Sequence, residues 1–97
     1  MKIGFIGAGN MGMALIKGIL KSDLVEAEDL ILFDPAKEKI EGLEREFGTI
    51  TARDNLEVTE NSDIVIVAVK PNVYDKVLRE IKEKVTDEKI IVTIAPG

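Results

Sequence analysis

Short apolar runs alternate along the chain with longer stretches of helical period. Ile3-Gly4-Phe5-Ile6 is almost continuously apolar, as suits a central parallel strand covered on both faces. The period changes after Asn10. Met11, Ala14, Leu15, Gly18 and Ile19 recur at helical spacing, with Lys17 and Lys21 left for solvent, which predicts a helix over 10–22 with that stripe buried. A polar stretch over 23–29 leads to a second run, Leu30-Ile31-Leu32-Phe33. Asp34-Pro35 predicts the start of another helix, since proline fits a first helical turn and aspartate can cap it. The buried stripe of that helix is Ile40, Leu43 and Phe47, and Gly48 stops it.

Residues 49–51 read as a short third strand, and Asp54 and Glu57, at capping-box spacing, open a brief helix toward Ser62. The run over 64–69 is the clearest buried strand in the chain, and Pro71 ends it. Val73, Val77, Leu78, Ile81 and Val85 form one face of a fourth helix, and 90–94 is a fifth strand. The resulting βαβαβαβαβ order predicts an α/β fold: a doubly wound parallel sheet of Rossmann type, strands in order 3-2-1-4-5, with helices on both faces. Residues 1–97 make one domain of it. The fifth strand leaves one sheet edge with no sixth element to cover it, so the expectation is a domain of a longer protein, able to self-associate through 90–94.

The turn after the first strand reads Gly7-Ala8-Gly9-Asn10-Met11-Gly12. Three glycines at this spacing mean little alone. Here a strand precedes them, a helix follows, and an acidic residue ends the next strand. Gly7 allows the tight turn, Gly9 lets backbone approach a pyrophosphate, and Gly12 lets the first helix pack closely. The helix start then offers N–H groups and a favourable dipole to phosphate. Asp34 can accept hydrogen bonds from adenosine ribose hydroxyls and can equally cap the following helix. Facing the ribose, it would repel a 2′-phosphate. Lys37, Lys39 and Arg53 read first as solvated surface charges but lie close enough in sequence to offset that repulsion, so the choice between NAD and NADP stays open. Asn55 opens a helix on the adenosine side. Ala68-Val69-Lys70-Pro71 follows the strand at the switch point beside strand one, where the crevice opens, and Lys70 there reads equally as a cofactor contact or an exposed strand end. Met11 and Met13 read as packing residues, and Tyr74 as a half-buried one.

Composition narrows the chemistry. The chain has no cysteine and no histidine, which removes thiolate catalysis, disulfides, sulfur metal sites and the commonest general base. No metal site and no catalytic side chain are expected, so a cofactor or another domain must supply the reaction. A formal net charge of -5 argues against nucleic acid. No apolar run approaches the roughly 20 residues that cross a bilayer, and the apolar N-terminal stretch runs into the glycine turn as a strand, not a signal peptide. A cytoplasmic protein is expected.

Taken in order, Gly4-Phe5-Ile6-Gly7-Ala8-Gly9-Asn10-Met11-Gly12, Ser62-Asp63-Ile64, Ala68-Val69-Lys70-Pro71 and Thr93-Ile94-Ala95-Pro96-Gly97 resemble the pyrroline-5-carboxylate reductase family over the whole chain. The resemblance implies reduction of 1-pyrroline-5-carboxylate to proline by direct hydride transfer from NADPH or NADH. It implies that Ile6, Gly7, Ala8, Gly9, Asn10 and Met11 hold the pyrophosphate and that Asp34 and Asn55 lie near the adenosine ribose. Ala68, Val69, Lys70, Pro71, Ile94 and Ala95 would line the path to the nicotinamide. It also implies a helical domain beyond these residues that makes a homo-oligomer and completes the substrate site, leaving this domain to bind cofactor weakly without turnover. Two positions depart from the family pattern. Asp34 stands where many members carry small hydroxyl residues, and Pro96 stands in a motif commonly ending Ala-Ala-Gly. A coenzyme-F420-dependent NADP reductase, a β-hydroxyacid dehydrogenase relative and a non-enzymatic nucleotide-binding module are the alternatives.

Overall fold

Short strands and helical crossovers alternate through residues 1–94, the part of the chain that the computed structural model describes. β1 (Ile3–Ile6), α1 (Asn10–Ser22), β2 (Leu30–Phe33), α2 (Lys37–Phe47) and β3 (Ile50–Thr51) form the first half. α3 (Asn55–Glu60), β4 (Ile64–Val67), α4 (Tyr74–Ile81) and β5 (Ile90–Thr93) follow. All strand pairs are parallel, in the order β3-β2-β1-β4-β5. β1 therefore lies at the centre, with Ile3 beside Leu30 on one side and Ile64 on the other.

The three inner strands β1, β2 and β4 bury both faces, as their unbroken runs require. On one face Phe5, Leu32 and Ile66 meet Ile16 of α1 and Ile40 and Leu43 of α2. On the other, Ile6, Val65 and Val67 meet Val58 of α3 and Val77 and Ile81 of α4. Gly4 lets α3 sit hard against the sheet: a Cβ there would stand 2.5 Å from Val58 Cγ1 and nearer still to Ser62 Oγ. Asp54 caps α3 by accepting the Glu57 N–H at 2.8 Å, while Glu57 accepts the Arg53 N–H at 2.8 Å, so the capping box forms one residue early on its return bond.

Several sequence expectations need correction. The stripe Met11, Ala14, Leu15, Gly18 is not the buried face of α1; Met11 is 47% exposed and Leu15 38%, while Gly12 and Ile16 are buried. Apolar residues occupy most of the circumference of α1, so periodicity could not choose a face. The contact of Gly12 with Ala68 and the Gly7 carbonyl chooses it. β4 ends at Val67 and not at 69, because the chain leaves the sheet at Ala68 to enter the turn Pro71–Val73. α2 begins at Lys37, two residues after Pro35. In α4, Val77 and Ile81 are buried but Leu78 is exposed at the rim, and Val85, also exposed, lies beyond the end of the helix at Ile81. On β5, Ile90 is 58% exposed and Val92 38%, on the outer edge of the sheet.

Candidate functional site

The carboxyl ends of β1, β2 and β4 converge where the strand order reverses, and a crevice opens there. Gly7 makes the first bend, with φ 92° and its N–H donated to the Phe33 carbonyl at 2.8 Å. A side chain there would be strained by that φ and would also meet the Ala68 carbonyl oxygen at 2.5 Å. Gly9 is different. Its φ of -69° suits any residue, and a Cβ would meet nothing within 4 Å. The fold does not need glycine at that position.

Gly9 is the N-cap of α1, and no side chain caps that helix, nor does its first turn hold an acidic residue. The first N–H groups of a helix have no partner within it, so the start of α1 offers bare donors and a positive dipole end to the crevice. α3, by contrast, is capped by Asp54. Asp34, leaving β2, binds both of its oxygens to backbone: Oδ2 accepts the Ala8 N–H at 2.7 Å and Oδ1 accepts the Ala36 N–H at 2.8 Å. It thus ties the first βα turn to the second. The helix-capping expectation for Asp34 becomes a turn cap, since Ala36 and not Asp34 is the residue before α2.

Two hollows run along the crevice. A groove of about 460 Å³ is lined by Ile6, Gly7, Gly9, Asp34, Asn55, Ala68, Val69 and Lys70, with Phe33, Pro35, Lys39, Val73, Lys76, Val77 and Glu80. A second hollow of about 230 Å³ is lined by Gly9, Asn10, Met11, Gly12, Ala68, Lys70 and Ile94. Gly9, Ala68 and Lys70 belong to both, so the two form one elongated channel across the start of α1. Ala8 is 2% exposed and contributes only the N–H that Asp34 takes. Pro71 lines neither hollow and begins the turn after Lys70. Ala95, with Pro96 and Gly97, lies outside the described residues. Met11, read as packing, is an exposed wall of the second hollow, whereas Met13 does pack against the core.

At the far end of the groove Asn55 is nine-tenths buried, and its Oδ1 has no hydrogen-bond partner. Its Nδ2 reaches Glu80 Oε2 at 3.4 Å. Sequence reading missed Val73, Lys76, Val77 and Glu80; their spacing puts them on one edge of the Pro71–Ile81 helical segment, the signal that could have found them. Tyr74 is half-buried and packs on the core, as the sequence suggested, and its single hydroxyl proton is shared between the carbonyl oxygens of Val67, at 3.1 Å, and Ile94, clamping the ends of β4 and β5. Of Lys37, Lys39 and Arg53, only Lys39 lines the groove; Arg53 turns to Glu57 at 3.1 Å.

A five-stranded parallel sheet in this order, with a glycine turn and an uncapped helix start at its switch point, defines a dinucleotide-binding domain of the Rossmann type. Residues 2–97 match the model of the family described as "NADP oxidoreductase coenzyme F420-dependent", and the chain belongs to that family. Within it, the chain is similar to pyrroline-5-carboxylate reductases: it is 40% identical over 96 residues to that of Methanosarcina acetivorans, covering 99% of this chain and 36% of the relative. The solved pyrroline-5-carboxylate reductase of Coxiella burnetii superposes with a TM-score of 0.89 at 28% identity, over 99% of this chain and 36% of that one. The Plasmodium falciparum pyrroline carboxylate reductase with NADP bound gives 0.84 at 30% identity, over 98% and 33%. The chain thus spans about a third of the length of the relatives it matches. No helix among the described residues is long and apolar enough to cross a membrane.

Proposed function

We propose that the channel holds a nicotinamide dinucleotide, NADH or NADPH, with its adenosine at the Asp34 and Asn55 end and its nicotinamide at the Met11 and Ile94 end. The observation that carries this reading is the start of α1: uncapped, free of acidic side chains, and fronted by a glycine that the fold itself does not need. A pyrophosphate satisfies all three conditions, since it brings charge to the helix end and demands close backbone approach. The buried, unpartnered Oδ1 of Asn55 independently asks for a donor such as a ribose hydroxyl or the adenine amine.

The whole protein is then a reductase of 1-pyrroline-5-carboxylate to L-proline, a step of proline biosynthesis, working in the cytoplasm as a homo-oligomer. The bound dinucleotide supplies the hydride. This chain's residues supply orientation: the glycine turn and α1 fix the phosphates, Asp34 and Asn55 fix the adenosine, and the segments after β4 and β5, clamped by Tyr74, frame the reacting end. No side chain of the chain acts as a covalent catalyst. In the whole protein a further, helical domain would supply the substrate site and the oligomer contact. A coenzyme-F420-dependent NADP reductase is the second reading, favoured by the description of the matching family.

Calorimetric titration of this chain with NADH and with NADPH tests the site. Weak, saturable binding of at least one is expected, and absence of both overturns the reading. Steady-state assays on the full-length protein separate the substrates: oxidation of the reduced dinucleotide on adding 1-pyrroline-5-carboxylate supports the first reading, and turnover with oxidised coenzyme F420 alone supports the second.

A further inference from the structure

We infer that the groove selects the dinucleotide lacking a 2′-phosphate, NADH over NADPH, and that Asp34 enforces the choice. The inference rests on the dinucleotide reading of the channel and departs from the NADP in the family's description and in the Plasmodium structure.

The carboxylate of Asp34 stands at the carboxyl end of β2, in the wall of the groove, and it cannot swing aside. Its Oδ2 holds the N–H of Ala8, which is 2% exposed, and its Oδ1 holds the N–H of Ala36. Turning the side chain away would strand the Ala8 amide without a partner in a place water scarcely reaches. Each oxygen keeps a second lone-pair direction, so the fixed carboxylate can accept hydrogen bonds from ribose hydroxyls. A 2′-phosphate in their place brings acceptors and like charge to the same spot.

The neighbours repeat this preference. Asn55 presents an unpartnered buried acceptor, while its donor amide is already directed at Glu80. Glu80 adds a second carboxylate to the groove wall. The adenosine end therefore offers oxygen acceptors and asks for donors. Three cations, Lys39, Lys70 and Lys76, share the wall, but all are exposed, and an ammonium in water is a strongly hydrated point charge. Among the described residues no arginine, with the planar guanidinium fork that matches a phosphate, lines the groove, and Arg53, the arginine nearest Asn55 in sequence, is turned to Glu57.

The test is a pair of dissociation constants for this chain, NADH against NADPH, with Asp34→Ser measured beside it. NADH is expected to bind at least tenfold more tightly, about 1.4 kcal/mol, with the ratio narrowing in Asp34→Ser mainly through tighter NADPH. A comparison needing no variant is AMP against adenosine 2′,5′-bisphosphate on the unaltered chain, with AMP expected to bind more tightly. NADPH binding as tightly as NADH, or the bisphosphate as tightly as AMP, overturns the selectivity and leaves the dinucleotide site standing. Binding of none of the four overturns the site itself, and the selectivity with it.

Discussion

Two glycines two residues apart should fail in opposite ways when each gains a single methyl group. In Gly7→Ala the new Cβ meets the Ala68 carbonyl oxygen at 2.5 Å and Val69 Cγ1 at 2.8 Å, on backbone held at φ 92°. Backbone strain and overpacking together cost about 2–4 kcal/mol. For a domain of this size each kcal/mol lowers Tm by about 4–8 °C, so a fall of about 10–30 °C is expected. In Gly9→Ala the Cβ enters open space at φ -69°. The poorer N-cap costs up to about 1 kcal/mol, and the stiffer unfolded chain offsets about 0.4–1 kcal/mol of it. Tm should fall by no more than about 5 °C. The affinity for NADH should nevertheless fall at least tenfold, about 1.4 kcal/mol, because the methyl group occupies the space the pyrophosphate needs. Differential scanning calorimetry reads the first quantity and isothermal titration the second. A Gly9→Ala chain that binds the dinucleotide as tightly as the unaltered one would refute the assignment of that space to a ligand.

Three further perturbations probe the frame around the site. Gly4→Ala drives a Cβ into Val58 and Ser62 and should cost about 1–3 kcal/mol, seen as a Tm fall of about 5–20 °C; an unchanged Tm would mean that α3 packs more loosely than described. Tyr74→Phe removes the hydroxyl between the Val67 and Ile94 carbonyls and should cost about 0.5–1.5 kcal/mol in urea unfolding, and an unshifted midpoint would mean that the hydroxyl holds neither strand end. The outer edge of β5 should let the chain associate at high concentration, and Val92→Lys should hold it monomeric in light scattering; a strict monomer without the substitution would exclude edge pairing.

The order of elements was legible in the sequence because each strand is a short apolar run bounded by glycine, proline or a charged residue. α2 was legible to its face, since Ile40, Leu43 and Phe47 stand among Lys and Glu, and its contrast of polarity leaves one choice. α1 lacks that contrast, and its orientation came from a contact with Ala68 more than fifty residues away, which no local pattern records. The same limit applies to the site. The glycine turn, Asn55 and the segment after β4 are local signals, and the structure brings them to one crevice. That Asp34 spends its carboxylate on the Ala8 amide, twenty-six residues earlier, and that Glu80 faces Asn55 across the groove, depend on how distant segments meet.

The pairing of β1 with β4 joins residues sixty-one apart, and the channel lies along that join, with Gly9 following one strand and Ala68 and Lys70 following the other. Closing so long a loop costs chain entropy before any contact repays it, and parallel pairings of this kind are slow to form. The unit from β1 to β3 can gather its own strands first, through connections less than half as long. The binding channel is therefore assembled by the most distant contact in the sheet. A ligand bridging that join acts as a staple between two folding units, and opening the join would abolish the site while β1, β2 and β3 stayed paired.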